Sequence, residues 1–182
     1  MNLSSQTTHG ILFIIAAIAP FAIYMGLGPD GGGVLDASMT ERLATWVMFV
    51  LPVALMMNVD AMRDGTGYKF ARAGLLIIII SMGAGIVADA FNGAEMTENS
   101  EAVAVVAWSS IMLGFFITAI GYYVQKFFAS WLCILQGIVA AFGFIMVGFI
   151  GPDADEILFM VMWLAMSVVF LLLGIFTLRR ES

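Results

Sequence analysis

The chain holds one histidine, His9, and one cysteine, Cys133, among 182 residues. Bis-histidine haem ligation needs two imidazoles and a structural zinc needs a cluster of thiols and imidazoles, so both chemistries are excluded. A lone cysteine forms no intramolecular disulfide and leaves the redox compartment unreadable. Charge is scarce too. Asp, Glu, Lys and Arg make up 11 % of the chain, against about a quarter in an ordinary soluble domain. Only seven residues are Lys or Arg and the net charge is −6, which argues against a nucleic-acid partner, since phosphates are met by basic patches. Walker sequences, EF-hand spacing and a Ser/His/acid set are all missing. Gly31-Gly32-Gly33 lacks the strand and helix that a phosphate-binding turn requires. The two lysines, Lys69 and Lys126, fall at the edges of apolar runs, which leaves none at mid-membrane for a retinal Schiff base. The expectation is a protein that is not an enzyme and uses no cofactor and no metal.

What fills the chain instead is apolar sequence. Hydrophobic residues reach 62 % and the mean hydropathy is +1.04, a composition that lipid solvates better than water. A helix rises 1.5 Å per residue and the hydrocarbon core is about 30 Å thick, so a span needs about 20 apolar residues. Six runs qualify, at 10–28, 43–62, 70–91, 102–124, 127–149 and 157–178. Backbone groups in lipid must bond within their own segment, and the alternating strands of a barrel are missing, so the runs read as helices. The stretch Met1 to Gly10 has no Lys or Arg, unlike the start of a secretory signal, and the first run reads as a retained helix. The expected fold class is all-α: a polytopic membrane protein with six transmembrane helices in three tandem antiparallel hairpins. Residues 1–182 form a single integral membrane domain in this reading.

The organising element is the break at residues 28–41, an acidic, glycine-rich stretch between the first two runs. Pieces of it return later. Met39-Thr40-Glu41 is echoed by Met96-Thr97-Glu98, and Gly28-Pro29-Asp30 by Gly151-Pro152-Asp153. Glu41, Glu98 and Glu156 fall 57 and then 58 residues apart, each near the start of a run. Arg63, Lys69, Arg72, Lys126, Arg179 and Arg180 all lie on one side of the spans, while Arg42 alone accompanies the acidic loops on the other. Excess Lys and Arg mark the cytoplasmic side, so both termini are expected in the cytoplasm and the protein in the cell membrane, with its acidic loops facing out. The carboxylates themselves read first as helix caps. Ser38-x-x-Glu41 has capping-box spacing and Asp153-x-x-Glu156 is its aspartate variant.

Several polar residues within or beside the spans are candidate pathway or packing groups. Gln136 is the most central amide in its run, where it can line a solute path or bond a neighbouring helix. Asn58 lies slightly deeper than Asp60, which has Arg63 one turn away as a partner. Asp89 and Asn92 stand at the acidic end of the third run. Pro20 and Pro52 each remove a backbone donor and can kink the first two spans, and a paired break of this kind can expose backbone to a substrate. Ser110 belongs to a stripe of small residues, Ala107, Ser110, Gly114, Thr118 and Gly121, of the type that lets helices approach closely in lipid. The fifth run repeats the idea with Ala129, Cys133, Gln136, Ala140 and Gly143. The sixth reads as more lipid-facing, and Trp108, Trp131, Tyr122 and Tyr123 as interfacial anchors.

Over residues 131–178 the segment Trp131-x-x-x-x-Gln136-Gly137, followed by a short proline loop and a glycine-bearing last helix, resembles the HdeD-type small six-helix proteins of bacterial inner membranes. Neither a function nor a site follows from that resemblance. Two readings remain. One is a structural or accessory membrane subunit that packs through the small-residue faces of runs three to five, as a homo-oligomer or against another membrane protein. The other is a small transporter or channel for a cation or small polar solute, in which Gln136, Asn58 and the prolines meet in one cavity. The lipid bilayer is a partner in both.

Overall fold

A computed structural model describes residues 5–29, 31–151 and 156–179, with the side chains of Ser5 and Glu156 excepted. Asp30, Asp153, Asp155 and Arg180 lie outside the described residues, as do the groups of the Asp153–Glu156 cap. The described chain is all-α, without strands. Its helices are α1 (Ser5–Phe21), α2 (Ala37–Met48), α3 (Val50–Ala61), α4 (Tyr68–Gly93), α5 (Thr97–Val124), α6 (Ser130–Ile145) and α7 (Glu156–Arg179). Wider π-helical turns extend α1 through Ala22–Leu27 and α6 through Met146–Ile150. Six spans result: Gln6–Leu27, Ala37–Ala61, Tyr68–Gly93, Thr97–Val124, Ser130–Ile150 and Ile157–Arg179. All six are long and apolar enough to cross a bilayer, and the protein is a multi-pass membrane protein.

The two prolines act differently. The Pro52 ring opposes the carbonyl of Met48, four residues earlier, and α2 ends at that residue. Phe49 then separates α2 from α3. Pro20 instead stands at the close of α1, where the ladder widens and the Gly28 amide bonds Ile23 O, five residues back, at 2.8 Å. The following loop folds over that turn. A Cβ on Gly31 would collide with the Met25 carbonyl, so glycine is required there by close approach. Gly33 turns the chain through φ +66°.

Backbone contact between glycines sets the two tightest seams. Along α4 and α5 a Cβ on Gly74 would stand 2.5 Å from Gly114 O, and one on Gly121 would stand 2.6 Å from the Ala71 amide. First and last spans meet antiparallel, with Gln6 Nε2 donating to Thr177 O at 2.9 Å. One turn further in, Gly10 and Gly174 leave no room for each other's Cβ. The sixth span is less buried than the three before it, 33 % against 39–44 %, and packs inward through one face, Met162, Met166, Val169, Leu173 and Thr177. Tyr122 departs from expectation. It is fully buried, T-shaped against Phe128 at 5.2 Å, while Tyr123 and Trp131 remain exposed.

Candidate functional site

Where the acidic loops meet the bundle, α1, α2, α3, α4, α5 and α7 surround a cavity of about 510 Å³. The polar end is built by helical spacing. Glu41, Thr45 and Met48 recur at four and three residues, which puts them on one face of α2, and Asp89 and Asn92 share a face of α4. Gly93 lets the two helices close: a Cβ there would lie 3.3 Å from Ser38 Cα.

Glu41 is the hub. Tyr24, carried on the π-helical turn, donates its hydroxyl to Oε2 at 2.6 Å, and Asn92 Nδ2 donates to Oε1 at 2.6 Å. The Glu41 residue is only 9 % exposed. Asp89 accepts from Thr45 Oγ1 at 3.1 Å. No Lys or Arg pairs with either carboxylate, since among the described residues the one ion pair is Arg63–Asp60, exposed at the opposite end. Arg42 follows Glu41 but is turned about 100° around the helix and is exposed. Below the carboxylates the wall becomes aromatic. Phe21, Trp108, Phe159, Trp163 and Phe170 line it, with Trp108 and Trp163 T-shaped at 5.5 Å and 90°.

This arrangement replaces the capping box. Asp36, not Ser38, caps α2, its Oδ1 accepting from the Met39 amide at 2.7 Å. The helix therefore begins two residues earlier than the box requires, and Glu41 lies in the second turn, free to meet Tyr24 and Asn92. Trp108 likewise faces the cavity and not the interface.

Of the residues singled out in the sequence, Asp89, Asn92 and Pro20 line the cavity, and Gln136, Asn58, Ser110 and Pro52 do not. Gln136 sits in the α5–α6 seam, where Nε2 donates to Phe115 O and Thr118 Oγ1, both at 3.0 Å. Asn58 is fully buried toward the basic end, with Nδ2 3.4 Å from the Tyr122 hydroxyl. Ser110 is half-buried on α5 and Pro52 lies in the first turn of α3. His9 falls inside α1 and donates Nε2–H to Ala54 O at 2.8 Å. Sequence reasoning missed Tyr24 and the aromatic wall. The four-and-three spacing of Glu41, Thr45 and Met48 was the available signal for the α2 face.

The Gln136 geometry yields a test. Its Oε1 is buried without a partner among the described residues, and an orphaned acceptor costs about 1–3 kcal/mol. The two bonds from Nε2 return about 0.6 kcal/mol each in lipid. Gln136→Leu should therefore leave thermal stability in detergent unchanged or raise it by up to about 2 kcal/mol by this balance.

No protein-family model, no curated protein and no solved structure matches this chain. The resemblance over residues 131–178 gains no support.

Proposed function

We propose that this multi-pass protein is a small membrane carrier, without catalytic chemistry of its own, that takes a small solute into the cavity at its acidic end. The observation that carries the reading is the convergence of Glu41, Asp89 and Asn92 on a space of about 510 Å³. That volume lies within the range of small-molecule sites, and ionisable groups inside a membrane span are costly enough to imply a use. The excess of Lys and Arg at the other end supports an orientation with both termini in the cytoplasm and the cavity toward the exterior of the cell membrane.

The alternative, a structural or accessory subunit, drew on the small-residue faces of the middle spans. Those faces are occupied within the chain: Gly74, Gly114 and Gly121 meet across α4 and α5, and Gly143 is filled by Met112 and Met162. They offer little to a partner.

Flux from proteoliposomes decides. Cation and neutral-solute efflux should exceed that of empty vesicles, fall several-fold in Ala104→Phe, which fills the cavity from α5, and persist in Gln136→Leu. Efflux equal to empty vesicles, or unaffected by Ala104→Phe, removes the carrier. A stoichiometric membrane partner captured by cross-linking, with no flux, would favour the accessory role.

A further inference from the structure

Resting on the carrier reading, we propose that the solute is a monovalent organic cation with an apolar body: an amphiphilic amine or ammonium ion. Charge complementarity comes first. Both oxygens of Glu41 accept hydrogen bonds, from Tyr24 and Asn92, the pattern of an ionised carboxylate, which is acceptor-only. Asp89 stands on the facing helix and also borders the cavity, with its single bond to Thr45 made through Oδ2. A buried negative charge without a counter-charge is strongly unfavourable. The chain supplies no cationic side chain among the described residues lining the cavity, so the ligand is the natural source of one.

The wall identifies the rest of the ligand. Trp108, Trp163 and Phe159 present an edge-packed aromatic cluster, with Phe159 and Trp163 6.1 Å apart. Aromatic faces attract weakly hydrated cations and give their apolar substituents a surface to cover. A small inorganic cation fits poorly. It needs a shell of oxygen ligands, and no group of three His, Cys, Asp or Glu among the described residues could hold one. A lipid acyl chain would fill the aromatic end but leave the buried Glu41 carboxylate uncompensated. The rim carries Met25 and Met160, exposed at 59 % and 49 %, between the first and last spans. An amphiphile lying at the membrane surface would meet this mouth with its head level with Glu41.

The test is equilibrium binding to the full chain in phosphatidylcholine nanodiscs. Titration calorimetry compares benzyltrimethylammonium with neopentylbenzene, its uncharged isostere. The cation should bind at least tenfold tighter. Glu41→Gln and Asp89→Asn should each weaken it tenfold or more without affecting the neutral compound. Asn92→Lys, at an exposed position beside Glu41, supplies a tethered cation and should block binding while the protein elutes unchanged on gel filtration, which guards against a folding artefact in the other two. Equal affinity for the two compounds, or cation binding that survives Asn92→Lys and both neutralising changes, overturns the proposal. If neutral-solute flux persists without cation binding, the ligand class is wrong and the carrier stands. If the cation binds but no solute crosses, the ligand class holds and the carrier fails.

Discussion

Gly74→Leu should be among the most damaging single changes in the bundle. A Cβ at residue 74 would lie 2.5 Å from Gly114 O, 2.7 Å from Thr118 Cγ2 and 2.7 Å from the Thr118 amide nitrogen. Two of those three atoms are backbone of a helix that bonds along its whole length, so they cannot swing aside as a flexible side chain would. The isobutyl group must then push α4 and α5 apart. Contact is lost along the line from Gly67 and Ala71 to Ile78, because in lipid the attraction between helices comes from close packing. Overpacking of a rigid contact costs about 3 kcal/mol at the upper end of its usual range. The expected result is a large fall in thermal stability in detergent, with aggregated material on gel filtration. Gly83→Ala is the matched control on the same helix. Nothing stands within 4 Å of a Cβ there, and alanine gains up to about 1 kcal/mol of helix propensity, so it should be neutral or stabilising. Equal behaviour of the two variants would mean that the α4–α5 seam is not held by backbone contact.

The α5 side of the α4–α5 seam was legible in the sequence, and the reason is local; its α4 side, Gly67, Ala71 and Gly74, was not singled out. A stripe of small residues at steps of three and four follows directly from helical geometry, and Ala107, Gly114, Thr118 and Gly121 all prove buried. The six spans were legible for the same kind of reason, since twenty apolar residues in sequence have few other solutions. Their ends were less so. The fourth run was expected to begin at 102, whereas α5 begins at Thr97. Polar residues continue a helix beyond the hydrocarbon without a hydropathy signal, and Ser100 is held there by a bond from its hydroxyl to Ala88 O at 2.9 Å.

Glu41 marks where local reasoning ran out. Asp36 and Ser38 are both good caps, two residues apart, and pattern alone gives no preference between them. The choice of Asp36 releases Glu41 from capping, but its destination depends on Tyr24 and Asn92, 17 and 51 residues away in the chain. Tyr24 reaches it from the wide turn after Pro20, which a sequence reads only as a kink. Gln136 illustrates the converse. Mid-bilayer position made it conspicuous, yet its partners are a backbone carbonyl and a threonine of the next helix, which is packing chemistry.

The closing seam connects fold to cavity most directly, and Gly174→Leu tests it. A Cβ at residue 174 would stand 2.9 Å from Gly10 O and 3.1 Å from Phe13 Cβ, so leucine must drive α7 away from α1. These two helices supply adjoining walls of the cavity, Ala16 and Pro20 from α1 and Trp163, Ser167 and Phe170 from α7. The α4–α5 seam has no part in the clash. The expected outcome is therefore selective: the variant keeps its helical circular-dichroism spectrum and elutes as the parent does, but binds benzyltrimethylammonium at least tenfold more weakly. Its loss of stability should stay within the roughly 1–3 kcal/mol typical of overpacking at a site that can give way. Gly26→Leu is the control, because a Cβ at residue 26 has nothing within 4 Å. It should leave affinity unchanged. Were Gly174→Leu to bind as the parent does, the walls given by α1 and α7 would not form the ligand's site, and the cavity would have to be sought in the smaller space of about 300 Å³ on the other side of Glu41 and Asp89, bordered by Arg42, Trp46 and Ile86.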